Sequence, residues 1–251
     1  MSSRCESLKG TTRMNVSLTK VSGVCAILTT ASCLPWMVLP IIAPSVGIEF
    51  PQSLEWEDWA RLKVDHRSVF LTVDWLVILC LIFETAAVVG FFYVLRVAGP
   101  LTWLGLAAWL TGIQLVMLEH IFVLGIDSVL MPRYLAASPA VQPALDVLAS
   151  TLNRTRFLAA LVGNILVLGV GVPIFALAVL RTRRAPSWMG WLGLVIAVMT
   201  WAGIGAYFPD APDVYHDIAR LAFVGFLVWL VAMGVAWLRM RGPAGNSTVD
   251  T

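Results

Sequence analysis

Apolar positions along the chain form six long runs, and short charged or breaker-rich segments separate them. Each run reaches the roughly 20 residues that a helix needs to cross ~30 Å of hydrocarbon. Apolar residues surround each predicted helix on all sides, whereas a soluble helix of this length would keep a polar stripe. We therefore predict an all-α, polytopic six-helix transmembrane bundle within residues 19–241. The predicted spans are 21–43, 72–95, 101–126, 157–180, 188–208 and 218–238.

The composition agrees with a membrane protein. Charged residues make up 13% of the chain and apolar residues 59%, whereas a soluble domain carries about 25% charged residues. No basic stripe alternates with exposed aromatic residues, so we expect the lipid bilayer as a partner and no nucleic acid. None of the cysteines has CxxC spacing, so we interpret them as small apolar core residues and expect no metal or cofactor. They are Cys5, Cys25, Cys33 and Cys80.

The distribution of Lys and Arg predicts the orientation. With the N-terminus in the cytoplasm, ten basic residues lie on that face and six on the other, which favours both termini in the cytoplasm. The inner ten are Arg4, Lys9, Arg13, Lys20, Arg96, Arg181, Arg183, Arg184, Arg239 and Arg241. The outer six are Arg61, Lys63, Arg67, Arg133, Arg154 and Arg156. Arg220 lies within a span and is not counted.

The two ends of the chain are polar. We expect residues 1–18 and 242–251 to be disordered on the cytoplasmic side. The basic N-terminal segment resembles the start of a signal peptide. Apolar sequence continues to residue 43, however, which favours an uncleaved first helix kinked at Pro35 and Pro40.

Two large outer loops, 44–71 and 127–156, are each predicted to contain a short helix, and together they would cover the outer face. In the first loop, residues 53–64 are expected to lie flat at the membrane interface. In the second, Ser138 is expected to cap a surface helix with an apolar stripe. The stripe consists of Val141, Leu145, Leu148 and Leu152.

The inner ends of the second, fourth and sixth spans are alike, because arginine is followed by a helix breaker in each. A repeated helical hairpin would explain this, and so would convergence, since inner helix ends favour arginine and a breaker. The breakers are Gly99-Pro100, Pro186 and Gly242-Pro243. Small residues four apart also predict close helix contacts. Examples are Ala86/Gly90, Ala159/Gly163 and Gly193/Ala197.

Polar residues within or beside the spans are candidate functional groups, because an unpaired charge in hydrocarbon costs several kcal/mol. At ~1.5 Å of rise per residue they gather toward the outer half, which predicts a polar cavity open to the outside. Glu84 and Glu119 are the candidate catalytic groups, as acids or bases. The candidate ligand-binding residues are Asp74, Gln114, His120, Asn164, His216, Asp217 and Arg220.

Several candidates also have a structural explanation. Glu84 can be a neutral carboxyl that bonds a neighbouring helix. His120 can bond a helix carbonyl or Asn164. Asp217 and Arg220 are three residues apart and can form a salt bridge at a helix start, although Arg220 can instead reach Asp74 or an anionic head group.

Helix-end and packing residues in the second half carry a resemblance. They are Leu180, Arg181, Pro186, Trp191-Leu192-Gly193, Leu194, Phe226-Leu227-Val228-Trp229-Leu230 and Gly234. These resemble an uncharacterised bacterial family of six-helix membrane proteins, a domain of unknown function, over most of residues 20–240. The resemblance implies a six-helix fold in a prokaryotic inner membrane and supplies no catalytic residue. In size and intramembrane acids the chain is also similar to small membrane-bound terpene cyclases, which use carboxylic acids as proton donors.

Three functions are compatible with the sequence. The clustered polar side chains favour a site that binds or transforms a small lipophilic molecule in the outer half. A proton-coupled transporter would need polar access from both faces, and the inner half is apolar. The absence of HExxH, phosphate-loop, dinucleotide and GxSxG signatures favours a structural or regulatory membrane subunit.

Overall fold

The structure is a computed structural model, and it describes residues 2–46, 48, 56–207 and 212–240 of the 251-residue chain. The described residues contain helices and no strand. Six helical stretches are long and apolar enough to cross a membrane, which confirms the predicted all-α six-helix bundle of a multi-pass membrane protein. They are Leu18–Ser45, Arg67–Ala98, Leu101–Ala136, Gln142–Thr182, Ser187–Gly205 and Asp213–Arg239.

The described residues contain nine α-helices. They are α1 (Ser2–Ile42), α2 (Trp56–Asp65), α3 (Arg67–Leu95), α4 (Leu101–Gly125), α5 (Met131–Ala136), α6 (Gln142–Asn164), α7 (Val172–Thr182), α8 (Ser187–Ala202) and α9 (Asp213–Arg239). Two π-helical segments join neighbouring helices without a break: Ile126–Leu130 between α4 and α5, and Ile165–Gly171 between α6 and α7.

Several boundaries differ from the sequence predictions. Helix α1 begins at Ser2, where a disordered tail is predicted, and it continues through both prolines. The predicted tail 242–251 lies outside the described residues. The predicted surface helix of the second outer loop is the start of α6, so it belongs to a continuous helix that reaches Thr182. Ser138 does not cap it with its side chain; its backbone carbonyl accepts the N–H groups of Val141 and Gln142.

Breakers end the spans where the sequence predicts. After α3 the backbone of Gly99 has φ +121°, a conformation that residues with a Cβ rarely adopt, and Pro100 follows it. After α7 the chain turns through Arg183 at φ 53° before Pro186. Both turns lie at the same end of the bundle, opposite the end that carries α2.

The six spans close into a ring in chain order. Each span packs against its neighbours in sequence, and α1 completes the ring by packing against α9. Aromatic rings fill the centre: Phe91 of α3 lies edge-on to Trp109, Trp229 and Trp237, with centroids 6.5, 6.0 and 5.5 Å away. Such edge-to-face pairs are favourable beyond their buried area. The middle of the bundle is therefore packed with side chains.

The glycine of each predicted small-residue pair lies at a close helix contact, whereas Ala86 is exposed. A Cβ on Gly90 would lie 2.1 Å from Ser22 Cβ of α1. A Cβ on Gly163 would lie 2.8 Å from the carbonyl oxygen of Gly112 on α4. A Cβ on Gly193 would lie 2.7 Å from Ala176 Cβ on α7. These three glycines set the spacing of three helix pairs.

Helix α2 sits between two apolar clusters at its end of the bundle. Leu62 packs with Leu39, Phe70 and neighbouring residues of α1 and α3. On the other side, Ala60 packs with Ile126 and residues of α5 and α6. This docking agrees with the expectation that the first outer loop helps to cover one face.

We predict that Gly90→Ala destabilises the bundle. The added methyl group forces α1 away from α3, and overpacking of this kind costs about 1–3 kcal/mol. The thermal midpoint in detergent, followed by circular dichroism, should fall by roughly 2–10 °C. Gly125→Ala is the matched control, because a Cβ on Gly125 would have no atom within 4 Å and the midpoint should not fall. Equal midpoints for wild type and Gly90→Ala would contradict the close contact.

Candidate functional site

Three carboxylates and two cations gather at the α2 end of the bundle. Lys63 of α2 forms an ion pair with Asp127 of the first π segment, and the carboxyl of Asp127 lies beside that of Asp74 on α3. Arg156 Nη1 of α6 lies 3.4 Å from Glu119 Oε1 of α4, and both residues act electrostatically on Asp74. We call these five residues the carboxyl cluster. It draws on three spans and on α2, because Glu119 and Asp127 belong to the same span.

The fold places the cluster by two local features. The π segment Ile126–Leu130 begins one residue before Asp127, and π turns are frequent at functional sites because they redirect a side chain within a continuous helix. Helix α6 extends well beyond the predicted span, so Arg156 approaches α4 from a rigid helix and not from a loop. Arg67 Nη2 also donates to the carbonyl of Ser128 at 3.2 Å, which ties the start of α3 to the π segment.

The two aspartates are almost completely buried. Asp127 is 2% exposed and Asp74 is 8% exposed. Asp74 Oδ2 and Asp127 Oδ1 have no N–H or O–H donor among the described residues. A buried acceptor without a donor is unfavourable by about 1–3 kcal/mol. A proton held between the two carboxyls, or a donor from a bound molecule, would satisfy these oxygens.

Charge in the cluster is unbalanced. Three carboxylates face two cations, so the fully ionised cluster carries one excess negative charge. His120 lies beside the cluster: its Nδ1 lies 3.0 Å from the carbonyl of Val116 and 3.4 Å from Glu119 Oε2. The contact with the Val116 carbonyl matches the structural alternative for His120, in which it bonds a helix carbonyl. The cluster as a whole is suited to hold a proton, a cationic group or a hydrogen-bond donor.

Helix α2 covers the cluster. Lys63 reaches Asp127 while its Nζ lies 5.3 Å from the centre of the Phe70 ring, a cation–π distance. Its side chain is mostly buried in this position. Because Leu62 and Ala60 anchor the same helix in two apolar clusters, the ammonium group is held over the carboxylates.

Glu84 lies apart from the cluster. It is ten residues beyond Asp74 on α3, about 15 Å further into the bundle. Its carboxylate is 5% exposed, and its Oε1 accepts a hydrogen bond from Trp109 Nε1 at 2.6 Å. Trp109 itself is fully buried against Phe175 and Trp229. Glu84 therefore bonds a neighbouring helix, as the structural alternative states, and it does not share a cavity with Glu119.

The remaining candidates do not converge on one cavity either. Gln114 is exposed on the outer surface of the bundle. Asn164 is half-buried at the end of α6, about 12 Å along the helix from Arg156. His216, Asp217 and Arg220 are exposed at the start of α9 and line a shallow surface depression. Arg220 Nη1 lies 3.4 Å from Asp217 Oδ1, so it forms the predicted helix-start ion pair and does not reach Asp74.

Sequence reasoning missed three members of the cluster: Lys63, Asp127 and Arg156. Asp127 follows the predicted third span by one residue and Arg156 precedes the predicted fourth span by one, so both fall in a predicted loop. The signal in the sequence that could have identified Asp127 and Arg156 was their position directly beside the ends of predicted spans. Among the described residues, no group of three or more His, Cys, Asp or Glu side chains is arranged to hold a metal ion.

No protein-family model, no curated protein and no solved structure matches this chain. The resemblances to the six-helix family of unknown function and to the terpene cyclases therefore stay predictions. What can be said of the site depends on its own geometry.

We predict that Lys63→Met loosens α2. The variant leaves Asp127 buried without its cation, and breaking a buried pair in this way costs about 3–5 kcal/mol. Hydrogen exchange of residues 56–65 should become at least tenfold faster in the variant. Arg61→Gln is the control, since Arg61 pairs with Glu57 on the exposed face of the same helix and such pairs contribute little. Similar exchange in both variants would show that the Lys63 pair does not hold α2.

Proposed function

We propose that this protein resides in a bacterial inner membrane and binds a small lipophilic molecule with a cationic or hydrogen-bond-donating head at the carboxyl cluster. The observation that carries the proposal is the pair of buried, donorless oxygens, Asp74 Oδ2 and Asp127 Oδ1. A head group with two donor hydrogens, one for each oxygen, would satisfy both of them. The excess negative charge of the cluster favours a cationic head over an anionic one.

The surroundings of the cluster support a lipophilic body for the molecule. Trp75, Ile121 and Val129 each lie within two residues of a cluster member, and all three are exposed on the apolar surface of the bundle. A ligand that enters from the lipid could place its apolar part against this surface while its head reaches the carboxyls. Water-soluble ligands would leave the apolar surface unused.

The orientation belongs to the same proposal. The excess of Lys and Arg at the predicted inner face supports an orientation with both termini in the cytoplasm and the α2 end in the periplasm. The carboxyl cluster would then lie in the outer half of the membrane, below a cover formed by α2.

A proton-coupled transporter has less support. Transport needs a polar route between the two ends of the bundle, and the rings of Phe91, Trp109 and Trp229 occupy the centre. An acid–base enzyme that uses Glu84 and Glu119 together also has less support, because Glu84 is hydrogen-bonded within the aromatic core. A structural subunit is the second candidate, since several polar groups are paired locally.

Native mass spectrometry of the protein, purified in mild detergent, tests the proposal. Wild type should retain one small lipophilic molecule that carries an amine or hydroxyl donor. Asp74→Asn should lose it, because the new amide N–H can donate to Asp127 Oδ1 and take the place of the head group. Loss of one charge-assisted hydrogen bond of about 1.5–3 kcal/mol corresponds to a roughly 10- to 150-fold weaker affinity.

Asp217→Asn is the matched control, because it makes the same change at an exposed position outside the cluster. Its retained molecule should equal that of wild type. A wild-type protein that retains nothing, or equal retention by Asp74→Asn and wild type, would favour the structural subunit.

A further inference from the structure

The exposed face of α4 carries two polar side chains in the middle of the membrane. Thr111 and Gln114 lie three residues apart on this face, and both are exposed. Trp103, which is also exposed, marks the membrane interface near the turn at Gly99. Gln114 is eleven residues beyond Trp103 on α4, or ~16 Å, so it lies near the middle of a hydrocarbon core that is ~30 Å thick.

Neither of these side chains has a partner within the described part of the chain. Gln114 and Thr111 make no hydrogen bond to any described residue. Other threonines of the spans donate to the carbonyl four residues earlier, as Thr85 Oγ1 does to Leu81 at 2.8 Å. Hydrocarbon tails offer no hydrogen-bond donor or acceptor, so an amide that faces them unpaired is unfavourable. The position of Gln114 therefore requires a partner outside the bundle.

Two other spans show what a face in contact with lipid contains in this bundle. The exposed positions in the middle of α3 are all apolar: Trp75, Leu79, Ile82, Ala86 and Val89. The same holds for the middle of α8, where they are Trp191, Val195, Val198 and Trp201. Because these faces are made only of apolar side chains, the amide and hydroxyl groups on α4 indicate contact with something other than lipid tails.

The exposed positions around Gln114 have the spacing of a helix–helix interface. They are Leu104, Ala107, Thr111, Gln114 and Leu118, and we call them the α4 seam. Successive members are three, four, three and four residues apart, which is the repeat along which two helices pack at about +20°. The small side chains of Ala107 and Thr111 let a second backbone approach, and the two leucines can pack on either side of them.

We propose that a second copy of this chain packs against the α4 seam, so that two copies form a dimer with two-fold symmetry. Copies in one membrane share one orientation, so the symmetry axis runs along the membrane normal and the two α4 helices are parallel. Each residue of the seam then lies opposite its own counterpart at the same depth. A carboxamide has an acceptor oxygen and donor hydrogens, so Gln114 can exchange two hydrogen bonds with the partner's Gln114.

This self-complementarity favours a second copy over a different occupant. A group that only accepts or only donates would leave part of the Gln114 amide unsatisfied, whereas an identical amide satisfies both of its functions. The hydroxyl of Thr111, one turn away, lies in the same interface and gains a partner there. The seam contains no member of the carboxyl cluster, so the dimer does not depend on the ligand proposed for that cluster.

The test uses the full-length protein, labelled with one dye per chain and reconstituted in liposomes. Single-molecule photobleaching should show two steps per spot at high protein density and one step after dilution with lipid. Gln114→Leu keeps the size of the side chain and removes the amide. It should move the transition from one step to two to a roughly 5- to 30-fold higher protein density, the range expected for lost interhelical hydrogen bonds.

Two alanine variants locate the interface. Ala107 on α4 and Ala86 on α3 are both exposed, so neither change disturbs the core of the bundle. Ala107→Trp should give one step at every density, because an indole in the seam keeps the two helices apart. Ala86→Trp is the matched control, and it should dimerise like wild type.

The remaining outcomes would overturn the proposal. Single steps for wild type at every density would leave the α4 seam to lipid or to a different membrane protein. A dimer that Ala107→Trp leaves intact would assign the contact to another face, and more than two steps would exclude a two-fold dimer. A dimer that Gln114→Leu does not weaken would show that the Gln114 amides do not pair.

Discussion

Hydrocarbon offers no hydrogen-bond partners, and this constraint accounts for most of the structure. Each span satisfies its backbone internally by being helical. Indole N–H groups reach across to neighbouring helices for the same reason. Trp229 Nε1 donates to the carbonyl of Met189 at 2.8 Å, and Trp201 Nε1 donates to the carbonyl of Gly169, in the second π segment, at 3.0 Å. Trp109 donates to Glu84, so a buried carboxyl and a buried indole satisfy each other.

Local pairing among the described residues is incomplete in the carboxyl cluster, as it also is for the buried indole N–H groups of Trp56 and Trp237. Lys63 and Arg156 each pair with one carboxylate, and two aspartate oxygens are left without a donor. Natural proteins rarely leave buried polar atoms unpaired, so an atom of this kind is a reason to look for a missing partner. Helix α2 covers the cluster and is fixed by apolar contacts on both sides. A bound molecule or a shared proton is therefore the remaining donor for the two aspartate oxygens.

The sequence predicted the membrane spans well because the hydrophobic effect dominates their placement, and breakers such as Gly99-Pro100 mark their ends. It predicted individual pairings less well. Depth along the helices was the basis for predicting Glu84 and Glu119 in one cavity, but depth does not tell which way a side chain faces. In the structure Glu84 faces Trp109, and Gln114 faces the outer surface of the bundle. The direction of the Asp127 side chain depends on the π segment, and a hydrophobic period of 3.6 residues does not reveal such a segment.

An experimental structure in lipid nanodiscs, at a resolution that shows a small bound molecule, tests the account most directly. The account predicts density for a donor group within hydrogen-bonding distance of Asp74 Oδ2 and Asp127 Oδ1, beneath α2 and Lys63. Carboxyls that open to bulk water, or that receive all of their hydrogen bonds from the protein's own side chains, would contradict it.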